Sequence, residues 1–266
     1  MDLELAGRHV LLTGGSRGIG LACARGFLQE GARVSLVARN QQTLAAAALS
    51  LADERPDAEQ LVATYACDLS DPHAAFQLIE RVEQAHGPID ILVNSAGAAR
   101  RSPPDELDAA KWHAAMQAKY FTYIHVMDPL VKRMAARGAG VIVNVVGAGG
   151  KVASPTHLAG GAANAALMLA SAGLANAFAA RGVRVNVVNP GPVLTDRLQE
   201  GLLADARLQG ISPEEARKRA DARQPMGRLA EPREIADAVV FLASARASYV
   251  TGAVLSMDGA AVPTVL

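Results

Sequence analysis

Residues 9–20 read HVLLTGGSRGIG, an apolar run that leads into a glycine-rich loop. Residues 21–28 continue with the pattern of a helix, so this stretch predicts a strand, a loop and a helix in that order. Glycines let a backbone approach a ligand closely, and the first turn of a helix presents unpaired N–H groups that attract anions. The stretch therefore predicts a cradle for a pyrophosphate; the alternative is an ordinary strand-to-helix turn.

The next apolar run, Arg33 to Ala38, ends where a dinucleotide-binding fold reads the adenosine ribose. A carboxylate at that place would accept a hydrogen bond from the 2′-hydroxyl and repel a 2′-phosphate. This chain has Arg39 and Asn40 there instead, and Arg17 in the glycine loop supplies a second guanidinium. We expect NADP(H) to be preferred over NAD(H), unless both arginines are only solvated surface charges.

The composition is that of one neutral domain. The chain has 266 residues with 26 Lys and Arg against 26 Asp and Glu, and no linker or repeat divides it. We expect a single domain over residues 1–266, with no bulk attraction to nucleic acid or to an acidic membrane. An acidic start and the lack of an apolar run of membrane-spanning length favour a soluble, cytoplasmic protein. Cys23 and Cys67 form no disulfide or metal pattern, so no metal site is expected.

Further apolar runs alternate with helical patterns along the rest of the chain. These runs are residues 61–67, 89–93, 141–146, 183–188 and 253–257. Together with the first two they predict an α/β fold, a Rossmann-like, doubly wound parallel sheet of seven strands with helices on both faces. Ligands of such sheets bind beyond the carboxyl ends of the strands. The polar residues that end the runs are therefore the functional candidates, among them Asp68, Asn94 and Asn189.

Several motifs beyond these strands belong together as a set. They are Asn94-Ser95-Ala96-Gly97, Asn144, Asn189-Pro190-Gly191 followed by Thr195, and Pro225-Met226-Gly227-Arg228. With the glycine loop, this set resembles the short-chain dehydrogenase/reductase family over roughly residues 5–260. The resemblance implies a nicotinamide cofactor, a small carbonyl or alcohol substrate, and a homo-oligomer, either a tetramer or a dimer, in which helices near residues 106–136 and 160–180 pair.

The resemblance also implies which residues contact each part of the cofactor. The pyrophosphate and ribose contacts would be Gly14, Ser16, Arg17, Gly18, Ile19 and Gly20. Asp68 and Leu69 would lie at the adenine, and Asn94, Ala96 and Gly97 at the nicotinamide ribose. The carboxamide and phosphates would be held by Pro190, Gly191, Val193 and Thr195.

The catalytic groups of the family are missing from this sequence. The family uses a serine to polarise the substrate, a tyrosine to exchange its proton, and a lysine four residues further on to lower the tyrosine pKa. No Tyr-x-x-x-Lys occurs here. Because Asn164-Ala165-Ala166-Leu167 resembles the Lys-Ala-Ala-Leu of the family, the lysine position holds Asn164, the tyrosine position Gly160 and the serine position Gly147. Adjacent glycines at 160 and 161, inside a predicted helix, indicate close packing or room for a ligand.

Two side chains are candidates to replace the missing groups. Lys119 falls where the family has an asparagine, as if it and Asn164 were exchanged; the alternative is unrelated drift with Lys119 in solvent. His157 lies three residues before Gly160, and an imidazole suits proton exchange near neutral pH. The alternative for His157 is a surface or packing role. We take Lys119, His157 and Asn164 as the catalytic candidates.

The sequence thus supports two functional hypotheses. The first is an NADP(H)-dependent oxidoreductase for a carbonyl or alcohol, with an atypical active site and a substrate lid over residues 194–223. The second is a catalytically impaired NADP-binding protein with a sensing or structural role. The glycine loop favours both. The presence of Lys119 and of the lid favours the first, whereas the three missing groups favour the second.

Overall fold

The sheet is parallel throughout and has helices on both faces. The computed structural model describes residues 1–55, 57–97 and 101–263, apart from the side chains at 197, 204, 205 and 208. The strands in this part of the chain are β1 (His9–Thr13), β2 (Arg33–Ala38), β3 (Val62–Ala66), β4 (Ile91–Asn94), β5 (Gly140–Val145), β6 (Val183–Pro190) and β7 (Val254–Met257). Their order is β3-β2-β1-β4-β5-β6-β7, which confirms the predicted Rossmann-like α/β fold.

The helices follow the strands as the alternating pattern predicts. In the described residues they are α1 (Gly18–Gln29), α2 (Gln41–Glu54), α3 (Ala58–Leu61), α4 (Pro72–His86), α5 (Ala109–Ala115), α6 (Thr122–Arg137), α7 (Leu158–Phe178), α8 (Asp196–Gln209), α9 (Pro213–Ala222) and α10 (Pro232–Ala243). Side chains of β1 alternate between two apolar layers, with Val10 and Leu12 in one and Leu11 in the other. Burial on both faces explains why the strands read as continuous apolar runs.

The long helix predicted near residues 106–136 is interrupted. Between α5 and α6 the turns widen into a π-helical segment, Met116–Phe121. The backbone of this segment lies against the loop after β4, since a Cβ placed on Gly97 would be 2.2 Å from the carbonyl oxygen of Ala118. A π-turn changes the angular register of the residues it contains. It places Lys119 in the interior, where only 9% of the residue is exposed.

Helix α7 lies on the sheet next to β6. The segment Pro155–Arg181, which contains α7, is long and apolar enough to cross a membrane by length and composition, so the expectation that no run reaches that length is wrong. The helix packs against β6, and Leu167 and Ser171 are buried within the protein. The core helix of a soluble protein has the same composition, because it too is covered by apolar side chains.

The segment after β6 forms α8 and α9, and these two helices span most of the predicted lid at residues 194–223. Val193 pairs with Ala230 in an isolated parallel bridge, which ties the start of the segment to a position two residues before α10. The lid function itself stays a prediction.

The first prediction concerns His9, which is 1% exposed at the start of β1. Its ring nitrogens bond the carbonyl of Gly87 at 3.0 Å and the hydroxyl of Ser35 at 2.9 Å, and burial lowers its pKa below the usual value. His9 therefore binds a proton more readily in the unfolded chain than in the folded one. The free energy of unfolding should be fully retained above about pH 7 and fall as the pH drops through about 6.5.

Urea unfolding of the protein and of His9→Gln between about pH 7.5 and 5.5 tests this linkage. The variant should be less stable at the upper end but should lose less stability on acidification. Parallel pH dependences for the two proteins would rule out His9 as the source.

Candidate active site

The glycine loop is built for close backbone approach. Gly14 and Gly18 have φ of +71° and +55°, a conformation that favours glycine. A Cβ on Gly20 would lie 2.1 Å from the carbonyl oxygen of Gly14, so the loop closes tightly on the start of α1. The Thr195 side chain lies 3.2 Å from where a Cβ on Gly18 would be, which brings the segment after β6 to the same place. The N-terminus of α1 and Thr195 thus border one anion-binding position.

A cavity of about 340 Å³ opens beside this loop. Its lining includes Ser16, Arg17, Gly18 and Thr195, all expected from the sequence to contact a cofactor. Ile19 and Gly20 continue into α1, and Gly20 is buried. The structure therefore brings two predicted groups of cofactor residues, from the first loop and from the segment after β6, to one surface.

The residues predicted at the adenosine end gather at the ends of β2 and β3. Asp68 accepts hydrogen bonds from the backbone N–H of Ser70 at 3.0 Å and from its hydroxyl at 2.8 Å. These bonds lower the pKa of the Asp68 carboxyl, and the positive charge of Arg39 adds to the effect. Arg17 and Arg39 are both exposed. Arg17 lies at the cradle, and Arg39 lies near Asp68.

Asn40 and Leu69 have structural contacts of their own at this end. The side chain of Asn40 caps α2 by accepting the N–H of Thr43 at 3.0 Å. The side chain of Leu69 is 4% exposed and lies in the apolar core, so only its backbone can face a ligand. Asp68 and Arg39 are the charged side chains at this end of the candidate site.

A chain of buried polar side chains lies beneath the site. The Thr13 hydroxyl donates to Oδ1 of Asn94 at 3.2 Å, and Nδ2 of Asn94 donates to Oδ1 of Asn144 at 2.9 Å. Nδ2 of Asn144 then donates to the hydroxyl of Ser171 at 2.9 Å. All four residues are buried. This polar chain joins β1, β4, β5 and α7 below the loops that form the candidate site.

The loop after β4 rests on the same chain. The backbone N–H groups of Ser95 and Ala96 lie 3.2 and 3.4 Å from the Thr13 hydroxyl. A Cβ on Gly14 would lie 2.8 Å from the backbone nitrogen of Ala96, so this loop and the glycine loop are in direct contact. Gly97 has φ of +84° and continues toward the π-helical segment. Asn94, Ala96 and Gly97 thus lie beside the glycine loop, and their contact with the nicotinamide ribose stays a prediction.

Loss of the central amide tests the polar chain. Asn144→Ala should lower the free energy of unfolding by about 2–4 kcal/mol, because it leaves Nδ2 of Asn94 buried without its acceptor and removes side-chain volume. Ser171→Ala removes only the last acceptor and should cost about 1 kcal/mol. Urea denaturation measures both; equal losses in the two variants would contradict a chain that depends on its centre.

Positions 147, 160 and 164 do meet in space. A Cβ on Gly147 would lie 3.5 Å from Nδ2 of Asn164, in ordinary contact and with no other neighbour within 4 Å. Asn164 is 5% exposed, and its Oδ1 has no hydrogen-bond partner among the described residues. A buried carbonyl oxygen of this kind is suited to accept a hydrogen bond from a ligand hydroxyl or amide.

The imidazole of His157 occupies the space beside Gly160. A Cβ on Gly160 would lie 2.2 Å from Cε1 of His157 and 2.7 Å from its Nε2. On its other side the ring faces Gly149, whose Cβ would lie 2.9 Å from Cδ2. The glycine at 160 therefore reflects close packing, not empty room for a ligand. His157 is not a solvated surface residue, since its ring is packed between the loop after β5 and α7.

Lys119 lies below the end of β5 and contacts Tyr123. Its ammonium donates to the Tyr123 hydroxyl at 2.8 Å and to the carbonyl of Val145 at 3.3 Å, and it stands 4.4 Å from the centre of the tyrosine ring. The Tyr123 hydroxyl donates to the same carbonyl at 2.7 Å, and burial raises its pKa. The alternative of Lys119 in solvent is therefore wrong.

The motif search for Tyr-x-x-x-Lys misses this pair, because Lys119 and Tyr123 have the same spacing in the opposite order. On a helix, residues four apart face the same side whichever comes first. A search for both orders would have found Tyr123. Ser171 is likewise absent from the predicted site. The only sequence signal that relates it to that site is its place two turns after Asn164 on α7.

Comparisons with known proteins show the family of this chain. The chain matches, over residues 14–260, the family model described as enoyl-(acyl carrier protein) reductase. It belongs to the short-chain dehydrogenase/reductase family. A similar member of the family, D-threitol dehydrogenase of Mycolicibacterium smegmatis, is 35% identical over 97% of this chain and 94% of that protein. Galactitol 2-dehydrogenase (L-tagatose-forming) of Cereibacter sphaeroides is 36% identical over 96% of this chain and 95% of that protein.

Solved structures of the family are also similar. L-Sorbose reductase from Gluconobacter frateurii, complexed with NADPH and L-sorbose, has a TM-score of 0.92 and 32% identity, with 100% of both chains covered. Within residues 1–55, 57–97 and 101–263 of the present family member, no three His, Cys, Asp or Glu side chains form a group that could hold a metal ion.

Proposed function

We propose that this protein is an NADPH-dependent oxidoreductase that interconverts a carbonyl and an alcohol through an atypical active site. The observation that carries the proposal is the packing of the His157 imidazole against Gly160 and near Asn164, in a family member that keeps the glycine loop at the start of α1. The cradle suits the pyrophosphate of a dinucleotide, because Gly14, Gly20 and Gly97 let neighbouring backbone pack closely and hold the glycine loop at the N-terminus of α1. When bound there, NADPH supplies the hydride.

The choice of NADPH rests on charge. Arg17 and Arg39 are exposed at the adenosine end, and no carboxylate directly follows β2 to repel a 2′-phosphate. Asp68 stands beside Arg39, but its carboxyl already accepts two hydrogen bonds from Ser70. The similar L-sorbose reductase was solved with NADPH, which supports the same choice for this chain.

His157 is the proposed proton donor. In the reductive direction its imidazolium gives a proton to the carbonyl oxygen as the carbonyl carbon accepts the hydride, which leaves a neutral imidazole and an alcohol. The imidazole would recover its proton from water before the next turnover. Asn164 would orient the substrate or the ribose through its unpartnered Oδ1. Lys119 would place a positive charge below the pocket at the end of β5.

The family's own groups are absent in this proposal, and a reduced rate is the expected consequence. Positioned general acids contribute about 10²–10⁴-fold to a rate, so their loss slows the reaction without abolishing it. The proposed substrate is a small carbonyl or alcohol. The names of similar family members, which act on threitol, galactitol and sorbose, make polyols and ketoses the first compounds to test. Helices α8 and α9 would close over it as a lid.

Turnover tests this function directly. NADPH oxidation is followed at neutral pH against ketoses, simple ketones, aldehydes and quinones, and NADP⁺ reduction against polyols. We expect one class to be turned over, with His157→Ala lowering kcat by about 10²-fold or more. Lys119→Met should lower kcat by less, about tenfold, since its charge acts from behind the strand end.

Matched controls are His113→Ala and Lys132→Met, which change exposed residues of the same types and should leave kcat unchanged. If His157→Ala and Lys119→Met both keep full activity, the proposed roles are wrong but the enzyme stands. If NADPH binds and no compound is turned over, the second function applies, that of an NADP-binding protein with a sensing or structural role. The missing serine, tyrosine and lysine favour that alternative.

Cofactor choice has its own test. Arg39→Asp should lower the kcat/KM ratio of NADPH to NADH by about tenfold to a hundredfold, because an attractive charge at the 2′-phosphate becomes a repulsive one. Arg33→Asp makes the same charge change at the opposite end of β2 and should leave the ratio unchanged. An unaltered ratio in Arg39→Asp would contradict phosphate recognition by this residue.

We further propose that the protein is cytoplasmic and assembles as a homotetramer or homodimer. Exposed apolar side chains on the two helices expected to pair support an interface there. Leu169 of α7 is 77% exposed, and Trp112 and Phe121 of the preceding helical region are each 39% exposed.

A further inference from the structure

Two kinds of glycine contact hold the loop after β5 against α7. Gly150 and Gly161 face backbone atoms, since their Cβ positions lie 2.8 Å from the nitrogen of Ala165 and 2.7 Å from the carbonyl oxygen of Gly149. A side chain at either position would push the loop and the helix apart. These two glycines therefore serve the backbone packing itself.

Gly149 and Gly160 face a side chain instead. The three atoms nearest to a Cβ on Gly160 all belong to the His157 ring, at 2.2, 2.7 and 2.8 Å. The nearest atom to a Cβ on Gly149 is Cδ2 of the same ring, at 2.9 Å. Real Cβ atoms do not approach other atoms so closely, so any side chain at 160 must displace the imidazole. The ring thus lies in a slot that two glycines leave open.

We infer that Gly149 and Gly160 are positioning residues whose absent side chains form a slot for the imidazole of His157. We call this pair the glycine slot. A side chain at position 160 and a seated imidazole use the same space, so they exclude each other. The imidazole carried by the loop takes the volume that a tyrosine carried by the helix would need. The catalytic part of this inference rests on the proposed function, whereas the packing part does not.

Asn164 completes the surroundings of the ring. Nε2 of His157 and Nδ2 of Asn164 lie 3.6 and 3.9 Å from the same point, the Cβ position of Gly149. A neutral amide there tolerates either charge state of the imidazole, because it brings no charge of its own. The slot fixes where the ring lies, and the amide adds no positive charge beside it.

A double-mutant cycle separates packing from catalysis. It compares the protein with Gly160→Ala, His157→Ala and the double variant by thermal unfolding, kcat against pH, and carbethoxylation of His157 relative to the exposed His73. Because a displaced ring can rotate, Gly160→Ala should fold, label faster at His157, and lose about 10²-fold in kcat. The fall in reductive kcat with rising pH, expected of an imidazolium donor, should vanish.

In the His157→Ala background, Gly160→Ala should cause no further loss of kcat and should raise Tm by about 2–4 °C through its better helix propensity. Gly161→Ala is the backbone control and should lower Tm in both backgrounds. Gly173→Ala, in the same helix with nothing within 4 Å of its Cβ, should raise Tm in both and leave kcat and labelling unchanged.

The slot is refuted if Gly160→Ala changes Tm equally with and without the imidazole, or if it leaves the labelling of His157 unchanged in the protein that keeps the imidazole. Coupling in Tm with unchanged kcat and pH profile refutes the positioning role and leaves a packing contact. If the protein turns over no substrate, the proposed function fails, while Tm and labelling still decide whether the slot exists.

Discussion

The buried polar chain from Thr13 to Ser171 is the constraint on which the candidate site depends. In the dry interior of a parallel sheet, an amide that lost its hydrogen-bond partner would cost the full desolvation penalty. The four side chains of the polar chain can therefore satisfy their hydrogen bonds in only one arrangement of the strands and α7. Asn94 and Asn144 are register partners at the ends of β4 and β5, and Ser171 extends the alignment to α7. The polar chain thereby fixes where the loops after these strands begin. Asn164, two helical turns before Ser171, faces the same side of α7 and lies near Gly147 and Gly149 in the loop after β5.

Much of the fold follows from local pattern, because continuous apolar runs between helical segments have few other solutions than a covered parallel sheet. Arg33–Ala38 is a strand from its first predicted residue to its last. The interruption at Met116–Phe121 was beyond local pattern, since it accompanies the approach of Gly97 to the carbonyl of Ala118, two residues more than 20 apart in the chain. Helical periodicity predicts a helix there but not its π-turn, and the burial of Lys119 depends on that turn.

In the candidate site, too, some features follow from local sequence pattern and others depend on contacts between distant residues. The glycine loop is readable from sequence because its function lies in its backbone, and glycines at fixed spacing report that backbone directly. Side-chain relations across elements are not readable in this manner. The contact of His157 with Gly160 joins a short turn to a helix, and the bond of Lys119 to Tyr123 reverses the order of a familiar pair. The sequence leaves two explanations for the glycine at 160, close packing or room for a ligand. The position of the His157 ring decides for close packing.

The exchanges at positions 160 and 164 have a common physical cause if the imidazole of His157 is the proton donor. A phenol titrates near pH 10 and needs a close cation to act near neutral pH, whereas an imidazole titrates near 6.5 without help. Once the phenol is gone, a lysine at 164 has no pKa to lower. It would instead repel the imidazolium, because the amide of Asn164 and Nε2 of His157 both lie within 4 Å of one point. A neutral asparagine at 164 is thus compatible with a histidine donor, whereas a lysine there would oppose it.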